Sequence, residues 1–305
     1  MKIKNIRELK HKGDLEGRKI VLDIAEKTLR ELDSYHALGN LLHAERNILR
    51  VGPREWDLDR KRNLQVIGAG KACNAMARAV EEKIGHRIHE GLVIVKQIEA
   101  EDNLRRIELA VGGHPLPNLQ GLEATRRILE MVERAGPDDL FICLISGGSS
   151  ALMACPVPGI TLEDEMKVTD LLMKSSARIL EINAIRRHIS QTNGGRLAQR
   201  IEAKGAELIC FVIDDVVARL PKRGQRADGK YYGTPIAPDL TTLQDARDAL
   251  RKYDLWPRVP SSVAEYLKSD DPERETPRDL GPRVHHFVLN SPKDACELAR
   301  RKAEE

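Results

Sequence analysis

Five short runs, LQVIG, GLVIV, RIELAV, LFICLI and AELICFVID, are almost wholly apolar, and helix-forming segments separate most of them. This constrains the fold more than any other feature of the chain. A strand that is apolar along its length, rather than at alternate positions, must be covered on both faces. Strands of that kind alternating with helices define a doubly wound, mainly parallel α/β sheet, Rossmann-like in type. Two helices are expected over about residues 17–50, from RKIVLDIAEKTLRELD and YHALGNLLHAERNIL. Further helices are expected at KACNAMARAVEEKI, GLEATRRILEMVERA, LEDEMKVTDLLMKSS, ARILEINAIRRHIS and GGRLAQRIEAKG.

Ligands of such sheets gather at the carboxyl ends of the strands. The first strand runs into Gly68-Ala69-Gly70-Lys71 and then a helix. A strand–glycine turn–helix unit offers unpaired N–H groups and the positive end of a helix dipole to anionic oxygens, and Lys71 adds a mobile cation. A glycine turn chosen only for close strand–helix packing would look the same. Two familiar labels do not fit. A P-loop needs a glycine where Gln65 stands and Ser or Thr where Ala72 stands. A dinucleotide fingerprint needs a third glycine at Cys73 and an acidic residue ending the next strand, where Lys96 stands.

Three more clusters carry polar chemistry. Ser146-Gly147-Gly148-Ser149-Ser150 follows LFICLI, and its glycines, hydroxyls and N–H groups could surround a phosphate or carboxylate, or simply cap a helix. It lacks the GxSxG spacing of a nucleophile elbow. Gly112-Gly113-His114-Pro115 follows RIELAV, placing His114 either on an anion or as a bystander in a rigid turn. Glu181, Asn183, Arg187 and His188 fall on one helix, where Asn183 and Arg187 are spaced i,i+4 and share a face. Arg187 and His188 are candidates for a carboxylate clamp, with Glu181 orienting Asn183 or Arg187. A solvated helix face carries similar residues.

Composition excludes several classes. Lys and Arg total 50 against 47 Asp and Glu, a net charge of +3, too balanced for nucleic acid or an anionic membrane as main partner. Aromatic content of 3% gives no base-stacking platform. Five scattered cysteines without a CxxC pair, and no run of membrane-spanning length, suit a cytoplasmic protein.

GAGKACNAMARA, GGHPLPN, LISGGSSALMACPVPGITLED, EINAIRRHIS and NGGRLA occur in an order that resembles the MOFRL-type glycerate kinases, over most of residues 15–250. The resemblance implies ATP- and Mg2+-dependent phosphoryl transfer to the 2-hydroxyl of D-glycerate, giving 2-phosphoglycerate. Lys71 matches the family's active-site lysine, and the SGGSS turn and the Glu181–His188 helix match its substrate and nucleotide cleft. Some sequences of this type have been described as hydroxypyruvate reductases, a reading that the missing dinucleotide fingerprint disfavours. A non-catalytic, anion-binding subunit is the main rival.

The chain also departs from the pattern. Asp214-Asp215-Val216 stands where Ser-Asp-Val is usual, leaving Asp215 as the candidate metal ligand, and Asn193 replaces a lysine before the double glycine. The resemblance implies one lobe over residues 1–240 and, over 241–305, a linker and the beginning of an incomplete second α/β lobe opened by VHHFVLN and SPKDACELARRKAEE. Three alternatives follow: the other lobe is a separate polypeptide, the chain is a truncated or degenerate gene product, or a homodimer covers the exposed surface; this chain alone is expected to be a weak or inactive kinase.

Overall fold

The computed structural model describes residues 2–11, 13–214 and 235–305. Six strands form one sheet: β4 (Leu64–Ala69), β5 (Ile88–Val95), β6 (Ile107–Val111), β7 (Leu140–Ile145), β8 (Glu207–Ile213) and β9 (Val284–Asn290). Their order is β6-β5-β4-β7-β8-β9, and every neighbouring pair is parallel. Winding therefore proceeds outward from β4 in one direction and from β7 in the other. The switch point between β4 and β7 is where such sheets open a crevice for ligands.

All six residues of β4 and of β7 are buried, as their continuous apolar character requires. One face packs on α4 (Cys73–Ile84), with Val66, Ile142 and Phe211 against Met76 and Val80. The other packs on α5 (Leu119–Glu133) and α9 (Arg196–Ala203), with Ile67, Phe141 and Cys210 against Ile128 and Ile201. A separate helical cluster, α7 (Leu162–Lys174), α8 (Ile179–His188), α10 (Leu243–Lys252) and α11 (Ser261–Lys268), closes on Val168, Ile185, Leu250 and Val263. Its members come from both sides of residue 240, so the expected boundary there cuts through one packed core.

Two expectations change. The helical reading of residues 17–50 holds for α2 (Leu15–Glu31) and α3 (Ser34–Leu41) but not beyond them. From there the chain forms the antiparallel strands β1 (Leu42–Glu45), β2 (Ile48–Val51) and β3 (Arg54–Asp57). The buried side chains Leu42, Leu49, Val51 and Trp56 satisfy that small sheet, and Arg46 and Gly52 turn it at φ values of 54° each. The second change concerns the C-terminal end. VHHFVLN does not open another sheet; as β9 it pairs along β8 and forms the edge of the first. The helix that follows, α12 (Pro292–Glu304), is tied to α2 by Lys302 to Glu31 at 2.8 Å.

Glu207 stitches these additions together. Its carboxylate faces His285 Nε2 at 2.9 Å, accepts from Trp56 Nε1 at 2.7 Å and meets Lys61 Nζ at 2.8 Å. The His285 bond, with Lys61 and Trp56 behind it, lowers its pKa from 4.5 to about 2 against the opposing effect of burial. A carboxyl whose folded pKa is depressed stabilises the fold above its unfolded pKa and loses that contribution as pH falls. Up to about 3 kcal/mol is therefore expected to disappear between about pH 4.5 and pH 2. Denaturant unfolding of wild type and Glu207→Gln across that range checks this, and an unchanged slope in the variant would refute it.

Candidate active site at the switch point

Lys71 and the SGGSS turn sit at the carboxyl ends of β4 and β7, so the crevice is lined by the residues the sequence singles out. The two turns are locked together. Lys71 N–H donates to Gly147 O at 3.0 Å, Ala72 N–H to Ser146 Oγ at 3.0 Å, and Ser146 N–H to Ala69 O at 3.3 Å. Gly70 is obligatory here because a Cβ would lie 2.0 Å from Ser146 Oγ and 2.7 Å from Ser146 N. Gly68 serves packing rather than ligand, since its Cβ would lie 2.3 Å from Leu144 O.

This locking corrects one expectation. The N–H groups of Gly70, Lys71, Ala72 and Cys73 are not open to an anion; they are bound to Ile94 O, Gly147 O, Ser146 Oγ and Gly70 O. The available backbone donors lie in the neighbouring turn, where the N–H groups of Gly147 and Gly148 have no hydrogen-bond partner among the described residues. Gly148 adopts φ +92°, a left-handed conformation natural only to glycine. A Cβ there would lie 2.9 Å from His114 Cδ2, 3.2 Å from His114 Nε2 and 3.5 Å from Lys71 Cγ. Three loops, after β4, β6 and β7, thus converge on Gly148. Lys71 is exposed and His114 half-buried beside it.

Ser149 is buried at the start of α6 (Ser149–Leu152), and Ser150 O accepts from Asn193 Nδ2 at 3.3 Å. Thr192 Oγ1 donates to Met153 O at 2.8 Å. These bonds fasten the strap after α8 to the SGGSS turn. Cys73, near Ser146, is no nucleophile: burial pushes its thiol up to about 12.

The helix α8 differs from expectation at three residues. Glu181 does not orient Asn183 or Arg187; it accepts from Arg178 N–H at 2.9 Å, from Tyr253 Oη at 2.8 Å and from Lys252 Nζ at 2.6 Å. His188 is wholly buried, donating from Nδ1 to Ala184 O at 2.7 Å with Nε2 facing Glu275 at 3.3 Å, so it holds the helix rather than a ligand. Arg187 donates from Nη1 to the buried Asp239 at 3.0 Å. Asp239 also accepts from Thr241 N–H at 2.9 Å and Thr276 Oγ1 at 3.2 Å, so a clamp role for Arg187 gives way to a positioning one. Asn183 remains half-buried and without a side-chain partner among the described residues.

Asp239 and Thr276 were missed because they reach this site from far along the chain, Asp239 52 residues beyond Arg187 and Thr276 only after α10 and α11. Asp215, the candidate metal ligand, lies outside the described residues. Asp214 N–H is bonded to Asn290 O at 2.9 Å, which puts Asp214 at the same end of the sheet as Lys71. Among the described residues no group of three His, Cys, Asp or Glu could hold a metal ion, and no helix is long and apolar enough to cross a membrane.

Fold and site define a doubly wound, parallel α/β protein in which Lys71, His114 and the SGGSS turn meet at the switch point. Residues 20–268 match the family model described as a domain of unknown function, DUF4147, and the chain belongs to that family. It is 35% identical over 290 residues to a glycerate 2-kinase of Pyrococcus horikoshii, covering 94% of this chain and 62% of that protein. It is 35% identical over 240 residues to a D-glycerate 2-kinase of Thermotoga maritima, covering 79% and 54% respectively. A crystal structure of a Pyrococcus horikoshii protein superposes with a TM-score of 0.77 at 33% identity, covering 94% of this chain and 63% of the other. The chain thus spans between half and two thirds of the length of these relatives.

Proposed function

We propose that this chain carries the anion-binding lobe of a glycerate 2-kinase, which transfers the γ-phosphoryl group of ATP to the 2-hydroxyl of D-glycerate. The observation that carries the reading is the convergence at the switch point of Lys71, His114 and the Gly147 and Gly148 N–H groups, which have no partner among the described residues. Phosphoryl transfer asks a protein mainly for positioning and positive charge. Lys71 can neutralise phosphate or carboxylate oxygens as charge shifts during transfer, and His114 can donate to a neighbouring oxygen. The Gly147 and Gly148 N–H groups act as fixed donors that need no reorganisation. Magnesium in such a reaction arrives largely on the nucleotide and needs only one or two carboxylates, a role for Asp214 or Asp215. Hydride transfer is disfavoured because Lys96 stands just beyond β5 where a ribose-binding carboxylate belongs.

A binding-only role is the second reading, favoured by the turn after β4 having its own N–H groups already engaged. One experiment separates the two. The chain is incubated with ATP, magnesium and D-glycerate, alone and with the portion of the Pyrococcus relative beyond the match added in trans, and products are resolved by phosphorus NMR. Formation of 2-phosphoglycerate, strongly increased by the added portion, is expected. Binding without turnover in either mixture would favour the binding-only role; 3-phosphoglycerate as sole product would refute the stated position of transfer.

A further inference from the structure

The most anomalous polar cluster lies between α7 and α8. Glu165 is wholly buried, and neither carboxylate oxygen has a hydrogen-bond partner among the described residues. Thr169 Oγ1, one turn along the same helix, is equally unpartnered. From α8, Arg186 places Nε and Nη2 in the same condition while the residue as a whole stays partly exposed. No ion pair joins Glu165 and Arg186 among the described residues, although each feels the other's charge.

Burial raises the Glu165 pKa from 4.5 to about 7, with Arg186 pulling the other way. The other neighbours give little compensation: Cys155 lies close to Glu165, with Arg126 and Arg200 around it. A carboxyl in that setting is substantially protonated at neutral pH, whereas a guanidinium stays charged. Arg186 is therefore a partly buried cation whose carboxylate does not neutralise it. Such a charge is costly unless an anion joins it.

Position tells where the anion comes from. Asn183 and Arg186 are three residues apart on α8 and share a face, and Ile179 on that face is 57% exposed. The strap that leaves α8 is fastened to Ser150 and Met153, next to the SGGSS turn. Arg187, the neighbouring guanidinium, is committed to Asp239. We infer that Asn183 and Arg186 form a carboxylate subsite on the open face of α8, with Glu165 behind Arg186 as its positioning residue. The subsite rests on the proposed function for the identity of its ligand, the carboxylate of D-glycerate. An ionised Glu165 competes with that ligand for Arg186, so binding weakens as pH rises through about 7.

The test is calorimetric titration of the chain with D-glycerate and, separately, inorganic phosphate, between pH 6 and pH 8.5. Arg186→Gln is expected to weaken D-glycerate binding at least tenfold, and Arg186→Lys less. Glu165→Gln is expected to bind as tightly as wild type at low pH and to lose the pH dependence. Where Arg186→Gln fails to fold because Glu165 is stranded, Glu165→Gln with Arg186→Gln removes both buried charges and serves in its place. Unimpaired binding in that double variant, or an unchanged pH profile in Glu165→Gln, overturns the subsite. If wild type binds phosphate but not D-glycerate, and Arg186→Gln abolishes it, the glycerate reading fails while the anion subsite stands. Arg186-independent binding, or no binding of either anion, overturns the subsite whatever the kinase assay gives.

Discussion

Alanine at Asp239 is expected to destabilise the fold by about 3–5 kcal/mol, the cost of stranding one partner of a buried ion pair. Asp239 is wholly buried and accepts from Arg187, from the N–H and hydroxyl of Thr241 and from Thr276. Its removal leaves the Arg187 guanidinium without its counter-charge and frees two hydroxyls. It also unties three separated parts of the chain: the carboxyl end of α8, the segment before α10 and the segment after α11. Gly194 is pressed into the same knot at φ +68°, where a Cβ would lie 2.9 Å from Thr276 and 3.3 Å from Asp239. Asp239→Asn keeps the shape and most acceptor positions, so a smaller loss is expected. Urea unfolding of both variants measures this; equal and small losses would show that the pair contributes little.

Gly70→Ala is expected to cost about 3 kcal/mol, the upper end of ordinary overpacking, and to abolish anion binding with it. The added methyl would overlap Ser146 Oγ, Ser146 N and Cys73 Sγ at 2.0, 2.7 and 2.9 Å. Relief requires the turn after β4 to move away from the turn after β7. That motion breaks the Lys71 to Gly147 bond and separates Lys71 from the Gly147 and Gly148 donors. Adding Ser146→Ala removes the nearest clash but leaves the backbone nitrogen in place, so it is expected to recover only part of the stability. Thermal unfolding read beside phosphate binding distinguishes a local block from a general loss of fold.

The layered α/β architecture was legible because β4, β5, β7 and β8 are buried on both faces, and uninterrupted apolar runs have few other uses. That Lys71, His114 and the SGGSS turn meet at one end of the sheet was legible because all three follow strands that a parallel sheet aligns with their carboxyl ends together. What escaped the sequence was long-range pairing. β9 carries His285, His286 and Asn290 among its apolar residues, and only partners distant in sequence, Glu207 for His285 and Ile236 O for His286, make it a strand of the first sheet. Along α8 the adjacent arginines turn about 100° apart and meet different neighbours. Arg187 reaches an aspartate that follows 52 residues later, while Arg186 faces a buried glutamate on the preceding helix. β1 and most of β2 were read as helix because YHALGNLLHAERNIL has apolar residues at helical spacing as well as a strand's buried positions.

On the proposed function, Lys71, brought beside Gly148 together with His114, is the cation of the anion-binding site. The most direct test is ATP binding to the chain, wild type beside Lys71→Ala, with thermal unfolding as a control. The side chain is exposed and its backbone bonds survive truncation, so the fold is expected to persist while ATP affinity falls at least tenfold. Equal affinity in the two proteins would contradict the claim and move the site away from the switch point.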